Sequence, residues 1–218
     1  MMDFAVARRM MVDGQVLTRD VFDPDLLAAM LEVPRERFVP PAQAALAYLD
    51  RNLPLTADGS RCLLQPMVLA RLLQAADITA TDHVLDVGCG TGYSSALLAR
   101  LAGSVVALEE DKDLATFARR VLRELAPQVE VVEGLLKTGW PAAGPYDAIV
   151  LNGAAEIIPE PLFAQLKDGG RLVGIEGEGP ATQARIYCSI RGEISGRSIT
   201  EAAAPLLPGF ARPPEFVF

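Results

Sequence analysis

The segment Asp86-Val87-Gly88-Cys89-Gly90-Thr91-Gly92 sets three glycines at alternate positions directly after a short apolar run. Glycine lets the backbone pass close to a ligand, and a glycine turn that opens a helix presents free amides at the helix start. The spacing is GxGxG, not the GxGxxG of nicotinamide-binding turns, and an acid stands two residues before the first glycine. Glu109 follows 21 residues after Gly88, as the first acid past the next apolar run, residues 105–108. A carboxylate there can accept both hydroxyls of a ribose, and a buried acid at a strand end has little other purpose. Glu110, Asp111 and Asp113 come next, and Asp111 or Asp113 reads as the cap of the following helix.

Such a turn suits S-adenosyl-L-methionine, which brings no pyrophosphate to cradle. Gly88, Gly90, Thr91 and Gly92 would make the close contacts, Glu109 would take the ribose, and Asp86 would lie near the cationic methionine portion. Other chemistries are poorly served. His83 is the single histidine, which excludes a multi-histidine metal centre within the chain. Cys62, Cys89 and Cys188 are scattered, so neither a disulfide framework nor a zinc site is expected, and a reducing cytoplasm fits. Lys and Arg number 20 against 28 Asp and Glu, a net charge of −8 with no basic stripe, which argues against a nucleic-acid partner. The best candidate for a membrane span, residues 84–108, contains Asp86 and Arg100, and the first eleven residues carry Asp3, Arg8 and Arg9, unlike a signal peptide. The expectation is a soluble, cytoplasmic monomer without metal, membrane or nucleic acid.

The elements that position these residues follow from periodicity. Asp23-Pro24-Asp25 opens a helix whose apolar face is Leu26, Leu27, Met30 and Leu31, and Val33-Pro34 stops it. Proline-punctuated chain follows, then a helix from Pro66. Beyond residue 81 short apolar runs alternate with helical patterns: strands at 83–87, 105–108, 129–132, 148–151 and 171–175, and helices at 94–102, 111–125 and 161–166, with Gly169-Gly170 as a turn. Strands apolar on both faces predict a mostly parallel sheet covered by helices on both sides. Residues 184–190 and 193–199 flank Arg191-Gly192 as an edge hairpin, and residues 205–218 are expected across the sheet edge. The division is an N-terminal helical lid, 1–80, and a cofactor-binding core, 81–218.

Beyond the glycine turn, the chain resembles the protein-L-isoaspartate O-methyltransferase family. Val33-Pro34-Arg35-Glu36-Arg37-Phe38-Val39-Pro40 looks like the family's N-terminal signature, and Ala47-Tyr48-Leu49-Asp50-Arg51-Asn52-Leu53-Pro54-Leu55 like its next segment. Residues 84–93 match its cofactor loop, and Gly139-Trp140-Pro141 with Pro145-Tyr146-Asp147-Ala148-Ile149 a later block. Leu166-Lys167-Asp168-Gly169-Gly170-Arg171-Leu172-Val173 is the least specific match. The resemblance implies a Rossmann-like class I methyltransferase fold, with a seven-stranded sheet under an N-terminal lid. It also implies methyl transfer to the carboxylate of L-isoaspartyl residues in damaged proteins.

Three departures fall in the implied cleft. Where the family reads Thr-Ile-Ser-Gln-Pro, this chain has Cys62-Leu63-Leu64-Gln65-Pro66, so Leu64 stands in place of the active-site serine. Gly134-Leu135-Leu136 replaces Gly-Asp-Gly, putting Leu135 where an acid is expected near the adenine, and Asn152-Gly153-Ala154-Ala155 replaces Thr-Ala-Ala-Ala. Cys62, Leu64, Gln65 and Asn152 are the expected substrate contacts. A serine hydroxyl on the acceptor carboxylate is worth roughly 1.5–3 kcal/mol, so its loss slows the reaction about 10–100-fold without abolishing it. The Gln65 or Asn152 amide or backbone amides could compensate. Two alternatives stay open: a methyltransferase with a different acceptor, and a non-catalytic binding module.

Overall fold

The computed structural model describes residues 3–177 and 181–213. At the N-terminus Asp3 caps helix α1 (Phe4–Met11) by accepting from the Ala5 and Val6 amides, and a π-helical turn, Val12–Val16, continues it. Asp23 caps α2 (Pro24–Glu32) in the same manner. Two 3-10 segments, Arg35–Phe38 and Pro41–Leu46, lead to a hairpin of very short strands, β1 (Leu53–Pro54) and β2 (Cys62–Leu63), and then to α3 (Pro66–Ala76).

The apolar runs beyond residue 81 become β3 (His83–Val87), α4 (Tyr93–Leu101), β4 (Ser104–Glu109), α5 (Lys112–Leu125) and β5 (Glu130–Glu133). They continue as β6 (Tyr146–Ala155), α6 (Glu160–Phe163), β7 (Leu166–Glu176), β8 (Gln183–Ile190) and β9 (Glu193–Glu201). The main sheet runs β5-β4-β3-β6-β7-β8-β9. Strands β3 to β7 are parallel, while β8 and β9 form the predicted antiparallel hairpin at the edge. Strand order reverses between β3 and β6, and in sheets of this kind ligands bind outside the carboxyl ends of the strands at that point.

Helix α3 packs on β7 and β8, and α2 packs on α4. Met11, Leu26, Phe38 and Leu64 from the first 80 residues therefore share one core with Val84, Leu97, Val150 and Ile186. The other face of the sheet is covered by a cluster that includes Leu85, Val87, Ile149, Leu172 and, from the C-terminal segment, Leu207 and Phe210.

Two expectations are corrected. Gly169 and Gly170 lie inside β7, because the chain keeps pairing with β6 at Tyr146↔Leu166 and resumes at Ala148↔Arg171 after a bulge. Residues 205–210 do not cross the sheet edge. Ala154 and Leu206 form a parallel bridge, the Ala154 amide donates to the Pro205 carbonyl, and the Leu207 amide donates to Ala154, so the segment lies over the end of central strand β6. The apolar side chains of Leu207 and Phe210 draw it there. Residues 214–218 of the expected tail lie outside the described residues.

Candidate active site

The glycine turn leaves β3 with Gly88 at φ +71° and Gly90 at φ +59°, the left-handed region in which a side chain is strained. The Gly88 and Cys89 amides donate to the Leu108 carbonyl at 2.8 and 3.2 Å, locking the turn to the end of β4. Asp111 caps α5 by accepting from the Asp113 and Leu114 amides. That leaves Glu109, fully buried, as the acid at the strand end.

Glu109 is saturated with donors. Its Oε1 accepts from the Glu110 and Asp111 amides at 2.9 and 3.1 Å, and its Oε2 accepts from the Gly90 amide at 2.7 Å. Arg61 adds a bidentate pair, Nη1 to Oε1 at 2.5 Å and Nη2 to Oε2 at 2.8 Å, and Nη2 also donates to the Gly88 carbonyl at 2.9 Å. Burial works against the Arg61 charge, but the Glu109 carboxylate outweighs it and holds the guanidinium above its usual range.

Asp86 is equally enclosed. Ser94 Oγ donates to its Oδ2 at 2.7 Å, Ser95 Oγ donates to the same oxygen at 2.5 Å, and the Asn152 side-chain amide donates to Oδ1. Burial pushes the carboxyl up to about 6; the two hydroxyls and the amide pull it down, and the Glu109 charge pushes it up again.

The other sequence-predicted residues have contacts of their own. Thr91 Oγ1 donates to the Phe38 carbonyl at 2.5 Å, tying the turn to the 3-10 segment Arg35–Phe38. Asn152, expected on the substrate, has its amide on Asp86. Leu64 is buried in the main core, and its carbonyl accepts from Arg35 Nη2 at 2.6 Å. Cys62 pairs with Pro54 in the small hairpin, and burial pushes its thiol up to about 11. The Gln65 backbone amide donates to Asn52 Oδ1 at 2.8 Å, whereas its half-buried side chain makes no hydrogen bond among the described residues. Leu135 is 52% exposed, while Leu136 turns inward below the glycine turn.

Sequence reasoning missed Arg61, Ser94, Ser95 and Leu207. The first had one available signal: it is the cation directly before the divergent Cys62–Pro66 segment, on a chain whose implied cleft holds two buried acids. Leu207 gave none, since its seat on β6 is non-local.

Whether the residues present fit an adenosyl group is decided by the donor chemistry. Glu109 offers two oxygens side by side, the acceptor pair a ribose diol requires, and the guanidinium of Arg61 now meets both. A Cβ at position 88 would stand 3.0 Å from Arg61 Nη2 and 3.2 Å from Leu207 Cδ2, so the glycine opens room on the side where those atoms lie. The acceptor pair at the end of β4 and the room at Gly88 fit the group.

The sequence profile of the protein-L-isoaspartate(D-aspartate) O-methyltransferase family matches residues 8–189. Protein-L-isoaspartate O-methyltransferase 2 of Pelobacter propionicus is 41% identical over 192 residues, covering 88% of this chain and 84% of that one. The Methanoregula boonei enzyme of the same name is 44% identical over 167 residues, 76% of each chain. A solved protein-L-isoaspartate O-methyltransferase superposes with TM-score 0.79 at 25% identity, covering 95% of this chain and 66% of that one. A Plasmodium falciparum structure in complex with S-adenosyl-L-homocysteine has TM-score 0.78 at 18% identity, with coverage of 95% and 99%, a likeness of fold. The chain belongs to the protein-L-isoaspartate(D-aspartate) O-methyltransferase family.

Proposed function

We propose that this protein transfers a methyl group from S-adenosyl-L-methionine to the free carboxylate of L-isoaspartyl residues, the α-carboxylate that the iso-linkage leaves outside the main chain. The observation that carries this reading is Glu109, buried at the end of β4, bonded to the Gly90 amide of the glycine turn and beside the crevice between β3 and β6. The family resemblance in the N-terminal blocks narrows the acceptor. Gly88, Gly90 and Gly92 would let the cofactor approach the turn, Glu109 would hold its ribose, and Asp86 would orient the turn through Ser94, Ser95 and Asn152. When bound, the cofactor supplies an electrophilic methyl group on a sulfonium.

Little else is asked of the protein. A carboxylate is already ionised near pH 7, so no general base is needed. Positioning and exclusion of water supply the acceleration. The Leu64 side chain donates no hydrogen bond, and the Gln65 backbone amide is already on Asn52, so orientation of the acceptor falls to the Gln65 side chain. Asn152 is already committed to Asp86. Incubation of the full chain with labelled cofactor and an isoaspartyl peptide, beside its normal aspartyl counterpart, tests the reading. Label is expected on the isoaspartyl peptide alone. Cofactor binding with label on neither peptide favours the altered-acceptor reading instead.

A further inference from the structure

Glu109 accepts five hydrogen bonds, although a carboxylate offers about four lone-pair sites. Three of the donors are backbone amides held by the end of β4, the start of α5 and the glycine turn. Only the Arg61 pair can be exchanged. A guanidinium and a vicinal diol present the same thing to a carboxylate: two donors, one for each oxygen. Both hydroxyls of a ribose therefore cannot reach Glu109 while Arg61 remains.

The backbone of Arg61 closes an exposed turn that is held together by its own hydrogen bonds. Its amide donates to Thr56 Oγ1 at 3.1 Å, and its carbonyl accepts from the Leu55 amide at 2.8 Å. Asp58 gathers Thr56 Oγ1, Ser60 Oγ and the Ser60 amide at 2.6, 2.8 and 3.1 Å, shaping the loop between β1 and β2. Resting on the reading that this turn holds the adenosyl cofactor, we propose that Arg61 is the chain's own occupant of the ribose seat. Cofactor binding is an exchange in which the ribose hydroxyls take Glu109 as the guanidinium leaves it.

The exchange has a cost in affinity. A buried charge pair resists the loss of one partner, and apparent affinity falls with the fraction of molecules whose site is open. Arg61 thus sets how much cofactor the enzyme needs before it is loaded, and the glycines and Glu109 do not act alone.

Calorimetric titration of the full chain with S-adenosyl-L-homocysteine tests this. Arg61→Gln, shown to be folded by circular dichroism, is expected to bind at least ~10-fold more tightly than the parent. Equal or weaker binding by the folded variant overturns the exchange. A second measurement uses the parent protein. The Arg61 guanidinium protons, identified in NMR spectra by their absence in Arg61→Lys, are expected to exchange with water at least ~10-fold faster once the site is saturated. Unchanged exchange at saturation also overturns the proposal. Uptake of the ligand by neither protein overturns the cofactor reading itself and the exchange with it, an outcome distinct from binding that Arg61→Gln fails to improve.

Discussion

Asn152 on β6 donates its side-chain amide to the Asp86 carboxylate on β3, across the crevice where strand order reverses. Ser94 and Ser95, in the first turn of α4, close the other carboxylate oxygen. One buried acid thus clasps two neighbouring strands and a helix, and so sets the angle at which the glycine turn leaves the sheet. Glu109 does the same for the far side of the turn through the Gly90 amide. The site is a turn held between two carboxylates, each satisfied from a different element.

Stability should show the Asp86 titration. Burial lifts its folded pKa to about 6, above the ordinary value of 3.8. A raised acid binds its proton more readily when folded, so its contribution is full below about pH 4 and is lost as pH rises through about 6. Asp86→Asn carries no charge and keeps most of the hydrogen-bonding shape. Relative to the parent, the variant is expected to gain stability between pH 4.5 and 7.5, by about 3 kcal/mol at most. Urea unfolding at four pH values reads this directly; a constant difference across the series refutes it.

Arg35 offers a second test. Its guanidinium is fully buried, donates from Nε to the Ala47 carbonyl at 2.7 Å and from Nη2 to the Leu64 carbonyl at 2.6 Å, and lies 4.7 Å from the Tyr93 ring centre. Burial lowers its pKa, and Tyr93 opposes that. Arg35→Met keeps much of the volume but leaves two buried carbonyls without donors, at about 1–3 kcal/mol each. A loss of about 3 kcal/mol in chemical denaturation is expected. A neutral or stabilising result would mean that burying this charge costs as much as its bonds return.

Much of this arrangement was legible in the chain, for reasons that differ by residue. The parallel sheet announced itself through apolar runs that alternate with amphipathic helices, and Glu109 through being the first acid after one of them. Asp111 could be read as a cap because capping is local. Arg61 and Glu109 are 48 residues apart, and no pattern in either segment encodes the pairing. Strands β1 and β2 have two residues each, too short for periodicity to register. In the stretch Cys62-Leu63-Leu64 every side chain is buried, so alternation could not tell which one faces the cleft. The C-terminal segment reads as an edge because it follows the edge hairpin, yet burial of Leu207 and Phe210 carries it back to the middle of the sheet.

Restoring the family residue at position 64 should harm the fold. Leu64 is buried in the main core among residues of the N-terminal helices and the sheet. Leu64→Ser removes a packed isobutyl group and buries a hydroxyl, so a loss of about 3 kcal/mol is expected. The midpoint of urea unfolding measures it, and a change below about 1 kcal/mol would show that the side chain packs less tightly than its burial indicates.

The departure at position 153 has a structural partner. A Cβ there would stand 2.5 Å from Leu207 Cδ2 and 2.6 Å from its Cγ, and 3.2 Å from the Pro205 carbonyl oxygen. Glycine at 153 is therefore what admits Leu207 over the end of β6. Gly153→Ala is expected to cost about 1–3 kcal/mol by forcing Leu207 aside, and Leu207→Ala about 2–5 kcal/mol by emptying its seat. In the double variant the new methyl group occupies part of the vacated space, so the combined loss should fall short of the sum by at least about 1 kcal/mol. A double-mutant cycle of unfolding free energies measures that shortfall. Additivity within about 0.5 kcal/mol would separate the two positions and leave the seating of the C-terminal segment to Phe210 and the backbone bonds alone.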